Sequence, residues 1–133
     1  MAFNKNGNIL VVDDMLTMRK IVKKQLGDWG CTNIQEADDG ATAWPILLQA
    51  LANNQRIDFV ISDWNMPKVT GMELLKQVKS HPELKDTPFL MVTAEAEQKN
   101  VIEAVKAGVS NYIIKPFAPA TLIEKIEKIF EKA

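Results

Sequence analysis

Val60-Ile61-Ser62-Asp63-Trp64-Asn65-Met66-Pro67 is an apolar run that ends on a carboxylate and then breaks. The run from Ile57 to Ile61 is short, partly β-branched and bounded by polar residues, which predicts a buried strand. Asp63 stands at its C-terminal end, and Asn65 and Pro67 mark a loop. Four other apolar runs share this layout. Asn8 to Val12 ends on Asp13-Asp14, Phe89 to Val92 ends on Thr93-Ala94, and Asn111 to Ile114 ends on Lys115-Pro116-Phe117. Asn33 to Ala37 is a further short strand, ending in the turn Asp38-Asp39-Gly40.

Helical periods separate the strands. Met15, Met18, Val22, Leu26 and Trp29 recur at three and four residues, with Arg19, Lys20, Lys23 and Lys24 elsewhere on the helix and Gly27 and Gly30 at its exit. A second helix is predicted from about Ala41 to Ala52. Pro45 is tolerated only near a helix start, which puts that start near Thr42 as N-cap. Gly71–Ser80, about Glu97–Ala107 with Val101, Ile102 and Val105 on one face, and a last helix opening near Pro119 complete the pattern. Strand and helix alternate five times, which predicts one α/β domain with a parallel sheet between helices. Residues 1–7 read as a polar tail and 8–133 as the domain.

Bulk properties narrow the function. The 133 residues carry 16 basic and 17 acidic side chains, a net charge of -1 that gives no reason to expect nucleic acid or a membrane surface as partner. Cys31 and His81 are the only residues of their kinds, so Ser-His-Asp, Cys-His and zinc-hydrolase chemistry have too few groups. The start of the chain lacks the apolar core of a signal peptide, and a cytoplasmic protein is expected.

In parallel α/β sheets ligands bind at the strand C-termini. There the chain collects Asp13, Asp14, Asp63, Thr93 and Lys115. Taken singly, each has a plainer reading: Asp13-Asp14 as helix N-cap chemistry, Asp63 as a turn, Thr93 as a cap, Lys115 as a solvated charge. Their joint placement on four strand ends is what those readings explain poorly. Three neighbouring carboxylates repel unless a cation intervenes, and oxygen ligands suit Mg²⁺. With a lysine and a hydroxyl added, the set matches what a phosphoryl group needs for neutralisation. No Walker A or G-x-G-x-x-G motif brings a nucleotide, which leaves a carboxylate as the acceptor.

These motifs, with Gly71-Met72-Glu73-Leu74-Leu75, Ala94-Glu95-Ala96, Ala107-Gly108 and Tyr112, resemble the receiver domain of two-component response regulators, in particular the stand-alone chemotaxis type. The resemblance covers essentially the whole chain. It implies a doubly wound (βα)5 flavodoxin-like fold with a five-stranded parallel sheet of order 2-1-3-4-5, the order known for chemotaxis regulators. It implies Asp63 as phosphoacceptor, with Mg²⁺ held by Asp14, Asp63 and the Asn65 backbone carbonyl and by Asp13 through water. Lys115 pairs with Asp63 or its phosphoryl group. Thr93 and the Ala94 N–H contact the phosphoryl oxygens, and Thr93 and Tyr112 form the switch. Asn65 and Glu95 tune hydrolysis, implying a phosphorylated lifetime of seconds to minutes. The Lys115-Pro116 bond is expected to be cis.

The implied function is self-phosphorylation from a kinase phosphohistidine and autodephosphorylation. The output is binding of the flagellar motor switch by the face of the fourth helix, fifth strand and fifth helix, with a phosphatase as a further partner and the chain a monomer. A phosphate sink or relay without motor output keeps the same chemistry, and a pseudo-receiver that binds without phosphorylation is a third reading. Several features depart from the family pattern. The segment Trp44 to Arg56 is longer than in compact members, Thr70 precedes Gly71 where an acid is common, Met15 and Leu16 flank the site, and Glu97-Gln98 replace lysines of some members.

Overall fold

The computed structural model describes residues 3–94 and 98–131. Five strands, β1 (Asn8–Val12), β2 (Asn33–Ala37), β3 (Phe59–Asp63), β4 (Phe89–Thr93) and β5 (Asn111–Ile114), alternate with five helices. The helices are α1 (Leu16–Trp29), α2 (Gly40–Ala52), α3 (Gly71–Ser80), α4 (Gln98–Lys106) and α5 (Pro119–Glu131). The sheet is parallel throughout, in the order β2-β1-β3-β4-β5. This is the flavodoxin-like order implied by the resemblance.

Both faces of the central strands are covered, which explains their continuous apolar sequence. Successive side chains alternate between the two faces. Leu10, Val12 and Val60 join Ala43, Leu47, Leu75 and Val78 beneath α2 and α3. Ile9, Val11, Phe59 and Ile61 join Val22, Leu26, Leu122 and Ile126 beneath α1 and α5. Phe3 packs against this second core, stacked on Trp29 with ring centroids 5.1 Å apart. Strand β1 has β2 on one side and β3 on the other, so the chain reverses its direction across the sheet there. The crevice at that reversal opens at the strand C-termini.

Four local expectations change. Helix α2 begins at Gly40, and its N-cap is Asp39, not Thr42. The Thr42 hydroxyl instead donates to Asp38 Oδ1 at 2.7 Å and to the Asp39 carbonyl at 2.9 Å. Pro45 therefore lies inside the helix, beyond its first turn. Strand β3 runs two residues later than its apolar run suggests, because Asp63 itself pairs with Val92 of β4. Met15 is the N-cap of α1 and is 58% exposed, so it does not belong to the inward stripe. On α4 the buried residue is Ala104, while Ile102 and Val105 face out at 46% and 60% exposure. The side chain of Val101 lies outside the described residues. Gly30 closes α1 in the left-handed region at φ 112°, as its position in the sequence suggests.

Candidate functional site

The C-terminal ends of β1, β3, β4 and β5 bring Asp13, Asp63, Thr93 and Lys115 to one rim. Asp13, Asp63 and Thr93 are buried there, and Asp14 is exposed at its edge. One carboxylate oxygen from each of Asp13, Asp14 and Asp63 lies within 4.8 Å of the others. Lys115 Nζ reaches both buried acids, donating to Asp13 Oδ2 at 3.1 Å and lying 3.4 Å from Asp63 Oδ2. One lysine thus serves two carboxylates, leaving the cluster net negative.

Backbone contacts fix each side chain. Asp13 Oδ1 accepts the Met15 N–H at 2.9 Å, and the Asp13 N–H donates to the Ala37 carbonyl at 3.1 Å. Asp63 Oδ1 accepts the Trp64 N–H at 2.8 Å. The Lys115 N–H donates to the Thr93 carbonyl at 2.8 Å, tying β5 to β4 where the loops begin. The Lys115-Pro116 peptide is cis. The loop after β3 is closed at its base by the Gly71 N–H on the Trp64 carbonyl at 2.9 Å. Gly71 must be glycine, because a Cβ there would strike the Asp63 carbonyl oxygen and come within 2.8 Å of Met91 Sδ.

The electrostatics show what the site is suited to hold. Burial pushes the Asp63 carboxyl above the ordinary aspartate range, and the Asp13 charge adds to it. Lys115 and the Trp64 N–H pull the other way without restoring it. Buried oxygen donors that remain net negative with a lysine in contact are suited to a small divalent cation that prefers oxygen and keeps water ligands. Soft-metal chemistry finds no ligand here, since the cluster contains neither cysteine nor histidine.

The remaining expected residues divide. Asn65 is exposed in the loop after Asp63, and Ala94 is exposed beside Thr93. Tyr112 is half-buried on β5, with Lys125 Nζ 5.3 Å from its ring centroid. It helps line a shallow groove of about 330 Å³ with Ile114, Pro116, Phe117 and Thr121. Glu95 lies outside the described residues.

Two residues at the site went unrecognised in the sequence. Arg19 reads there as part of a solvated helix face, yet its Nη1 donates to the Asp13 carbonyl at 2.6 Å and its Nε to Glu36 Oε1 at 3.1 Å. Hydrogen bonds from Lys23 and Arg19 hold the Glu36 carboxyl below its usual range against the opposing effect of burial. Asp39 reads as a turn residue, yet it is buried and accepts backbone N–H groups both from the start of α2 and from the loop after β3.

Among the described residues no helix is long and apolar enough to cross a membrane. Comparison with known proteins matches residues 9–127 to the response regulator receiver domain. The chain is 54% identical over 129 residues to the chemotaxis protein CheY-3 of Vibrio cholerae, covering 97% of this chain and 95% of that one. It is 52% identical over 124 residues to the chemotaxis protein CheY of Pseudomonas aeruginosa, covering 93% and 96%. The crystal structure of Vibrio cholerae CheY4 superposes with a TM-score of 0.81 at 35% identity, covering 93% of this chain and 98% of that one.

Proposed function

Because this chain belongs to the response regulator receiver domain family, and to its chemotaxis type, we propose that it is a phosphorylation switch with Asp63 as acceptor and the motor switch as listener. The observation that carries this reading is the rim itself: three carboxylates gathered within 4.8 Å, two of them contacted by one lysine. The switch is the receiver unit 8–133, preceded by the tail 1–7.

An Asp63 carboxylate oxygen attacks the phosphorus of a kinase phosphohistidine. The P–O bond forms, the P–N bond breaks, and the imidazole leaves with a proton taken from solvent. Lys115 neutralises charge on the phosphoryl oxygens, while the Thr93 hydroxyl and Ala94 N–H donate to them. Asp14, Asp63 and the Asn65 carbonyl would hold Mg²⁺, with Asp13 bound through water. Bound there, such an ion would supply charge neutralisation for the incoming phosphoryl oxygens. Water then attacks phosphorus, the bond to Asp63 breaks, and inorganic phosphate leaves. Asn65 and Glu95 would tune that hydrolysis and so set the lifetime.

The new phosphoryl group adds nearly two negative charges and three acceptors beside Thr93. Drawing Thr93 toward it vacates space for Tyr112, which biases the α4-β5-α5 face. That face has the apolar surface a partner helix needs: Ile102 and Val105 on α4, Ile114 on β5, and the groove beside Tyr112. A sink or relay would not require it, so motor output is favoured over that alternative. A small protein with this surface acts from solution, in the cytoplasm.

Trp64 reports the chemistry directly. Its fluorescence should change on adding Mg²⁺ and again with acetyl phosphate, and intact mass should show an acyl phosphate. Asp63→Asn should abolish the second change. A wild type that answers neither addition, or a variant that answers both alike, removes Asp63 as acceptor. Capture of a motor-switch peptide only in the phosphorylated state separates motor output from sink.

A further inference from the structure

The buried carboxylate of Asp39 has more partners than a helix cap requires. Capping α2 uses only the bond from the Ala41 N–H to Oδ1, at 2.8 Å. Two further backbone donors come from a loop 29 and 30 residues away in sequence, Lys68 N–H to Oδ2 at 2.9 Å and Val69 N–H to Oδ1 at 3.0 Å. The contact is reciprocal, since the Gly40 N–H donates to the Val69 carbonyl at 3.2 Å. It is also tight: a Cβ on Gly40 would lie 2.6 Å from Val69 Cγ1 and 2.7 Å from the Val69 carbonyl oxygen. Burial disfavours the charged form of Asp39, but the three N–H groups and the nearby Lys68 charge outweigh it, and the carboxyl stays below its usual range. A carboxylate that accepts several backbone N–H groups is strongly held in place.

The loop so gripped is the one that follows Asp63. It is pinned at its base by the Gly71 N–H on the Trp64 carbonyl and at its far side by Asp39. Asn65 and Met66 lie between the two pins, with Met66 buried in the core and Asn65 exposed. Two fixed ends and a buried middle residue leave the backbone at Asn65 little freedom.

We infer that Asp39 is a positioning residue for the metal and phosphoryl site, fixing the β3–α3 loop and through it the Asn65 carbonyl. This rests on the proposed role of that carbonyl as a ligand. Groups that orient metal ligands from the outside commonly change affinity by about 10–100-fold when removed. Asp39 would do so through backbone alone, from a strand end that contributes no ligand. An asparagine at 39 with its oxygen in the Oδ1 position keeps the Ala41 and Val69 contacts but turns the other atom into a donor facing the Lys68 N–H, so it loosens the loop contact while retaining the cap.

The test is a Mg²⁺ titration followed by Trp64 fluorescence, with melting temperature recorded in parallel and every titration run well below it. Asp39→Asn and Asp39→Ala should weaken Mg²⁺ binding about tenfold or more and change the decay rate of the acyl phosphate. Gly40→Ala should do the same without altering charge. Asp38→Ala, which loses only the Thr42 hydroxyl contact, should bind Mg²⁺ like wild type. If Asp39→Asn melts lower but binds Mg²⁺ within about twofold of wild type, Asp39 is a structural cap and the inference fails. If wild type itself gives no Mg²⁺ response, the proposed function fails and this inference with it. Should Asp39→Ala not fold, Asp39→Asn and Gly40→Ala still decide the matter.

Discussion

The two ends of the sheet are built on opposite principles. At the amino-terminal end, Phe3, Trp29, Phe59 and Phe130 form one aromatic group. Phe3 lies on Trp29 at 5.1 Å, Phe3 and Phe130 are 4.9 Å apart, and Phe59 meets Phe130 edge-on at 5.4 Å. Lys5 covers the outer side, 5.0 Å from the Trp29 ring centroid. Large apolar area leaves water there, with stacked and edge-on ring pairs among the contacts. At the carboxyl-terminal end, Asp13 and Asp63 are buried with one lysine between them. That arrangement costs stability unless a cation or phosphoryl chemistry uses it. The molecule thus keeps its cohesion at one end and its reactivity at the other, joined by strands of four or five residues.

The separation can be broken most forcefully at Phe59. It is fully buried, and Phe59→Ala should cost about 3–5 kcal/mol, read as a lower urea midpoint. In conditions where the variant remains folded, its Trp64 response to Mg²⁺ should match wild type. A lost response would mean that the two ends are mechanically coupled.

Gly71→Ala should give a smaller loss of stability, about 1–3 kcal/mol from overpacking, but with the reverse functional signature. The added methyl meets the Asp63 carbonyl and Met91 Sδ. Displacing the acceptor backbone should reduce phosphorylation by acetyl phosphate well beyond what the unfolded fraction explains. Phosphorylation at the wild-type rate would show that the loop tolerates movement, and would count against a fixed Asn65 carbonyl as well.

How much of this was legible in the sequence depends on how each residue gets its role. Asp13, Asp63, Thr93 and Lys115 could be found because each stands directly after an apolar run, and strand ends of a parallel sheet share one rim. The sheet order did not follow from the runs, since alternation fixes parallel pairing but not which strands are neighbours. It came from the resemblance. Asp39 and Arg19 were missed because the contacts that matter go to backbone groups, the Lys68 and Val69 N–H for Asp39 and the Asp13 carbonyl for Arg19, and a backbone partner has no sequence signature. The start of α2 was misplaced for a related reason. Pro45 was read as marking the first turn, whereas the helix begins at Gly40 behind its Asp39 cap and accommodates the proline further in. On α4 a three-four apolar pattern was legible, but its exposed side was not. Ile102 and Val105 look like core residues until Ala104 is seen to take that place. An apolar surface kept for a partner has the same sequence pattern as an apolar surface kept for the core.

The smallest effect is also the most specific, because two acids at the same rim should respond to pH with opposite signs. Asp63 has a raised folded-state pKa, so its contribution to stability is fully present below the unfolded value of about 3.9 and is lost as pH rises through the folded one. At neutral pH its charge is a net cost. Two like charges about 5 Å apart repel by roughly 3 kcal/mol at an effective dielectric of 20, and Lys115 offsets part of that. Asp63→Asn should therefore stabilise the metal-free protein on the order of 1 kcal/mol, raising Tm by a few degrees. The gain should shrink toward pH 4. Mg²⁺ should raise the wild-type Tm more than that of the variant, narrowing the gap. Asp39 has a lowered folded-state pKa, so its contribution is present above the unfolded value and is lost as pH falls through the folded one. Asp39→Asn should accordingly destabilise at neutral pH and lose that effect on acidification. Melting curves in EDTA between about pH 2 and pH 8, reaching below the ordinary aspartate range, distinguish the two acids. If both variants shift Tm in the same direction at neutral pH, burial and repulsion do not dominate at Asp63, and the division between a cohesive end and a costly one is wrong.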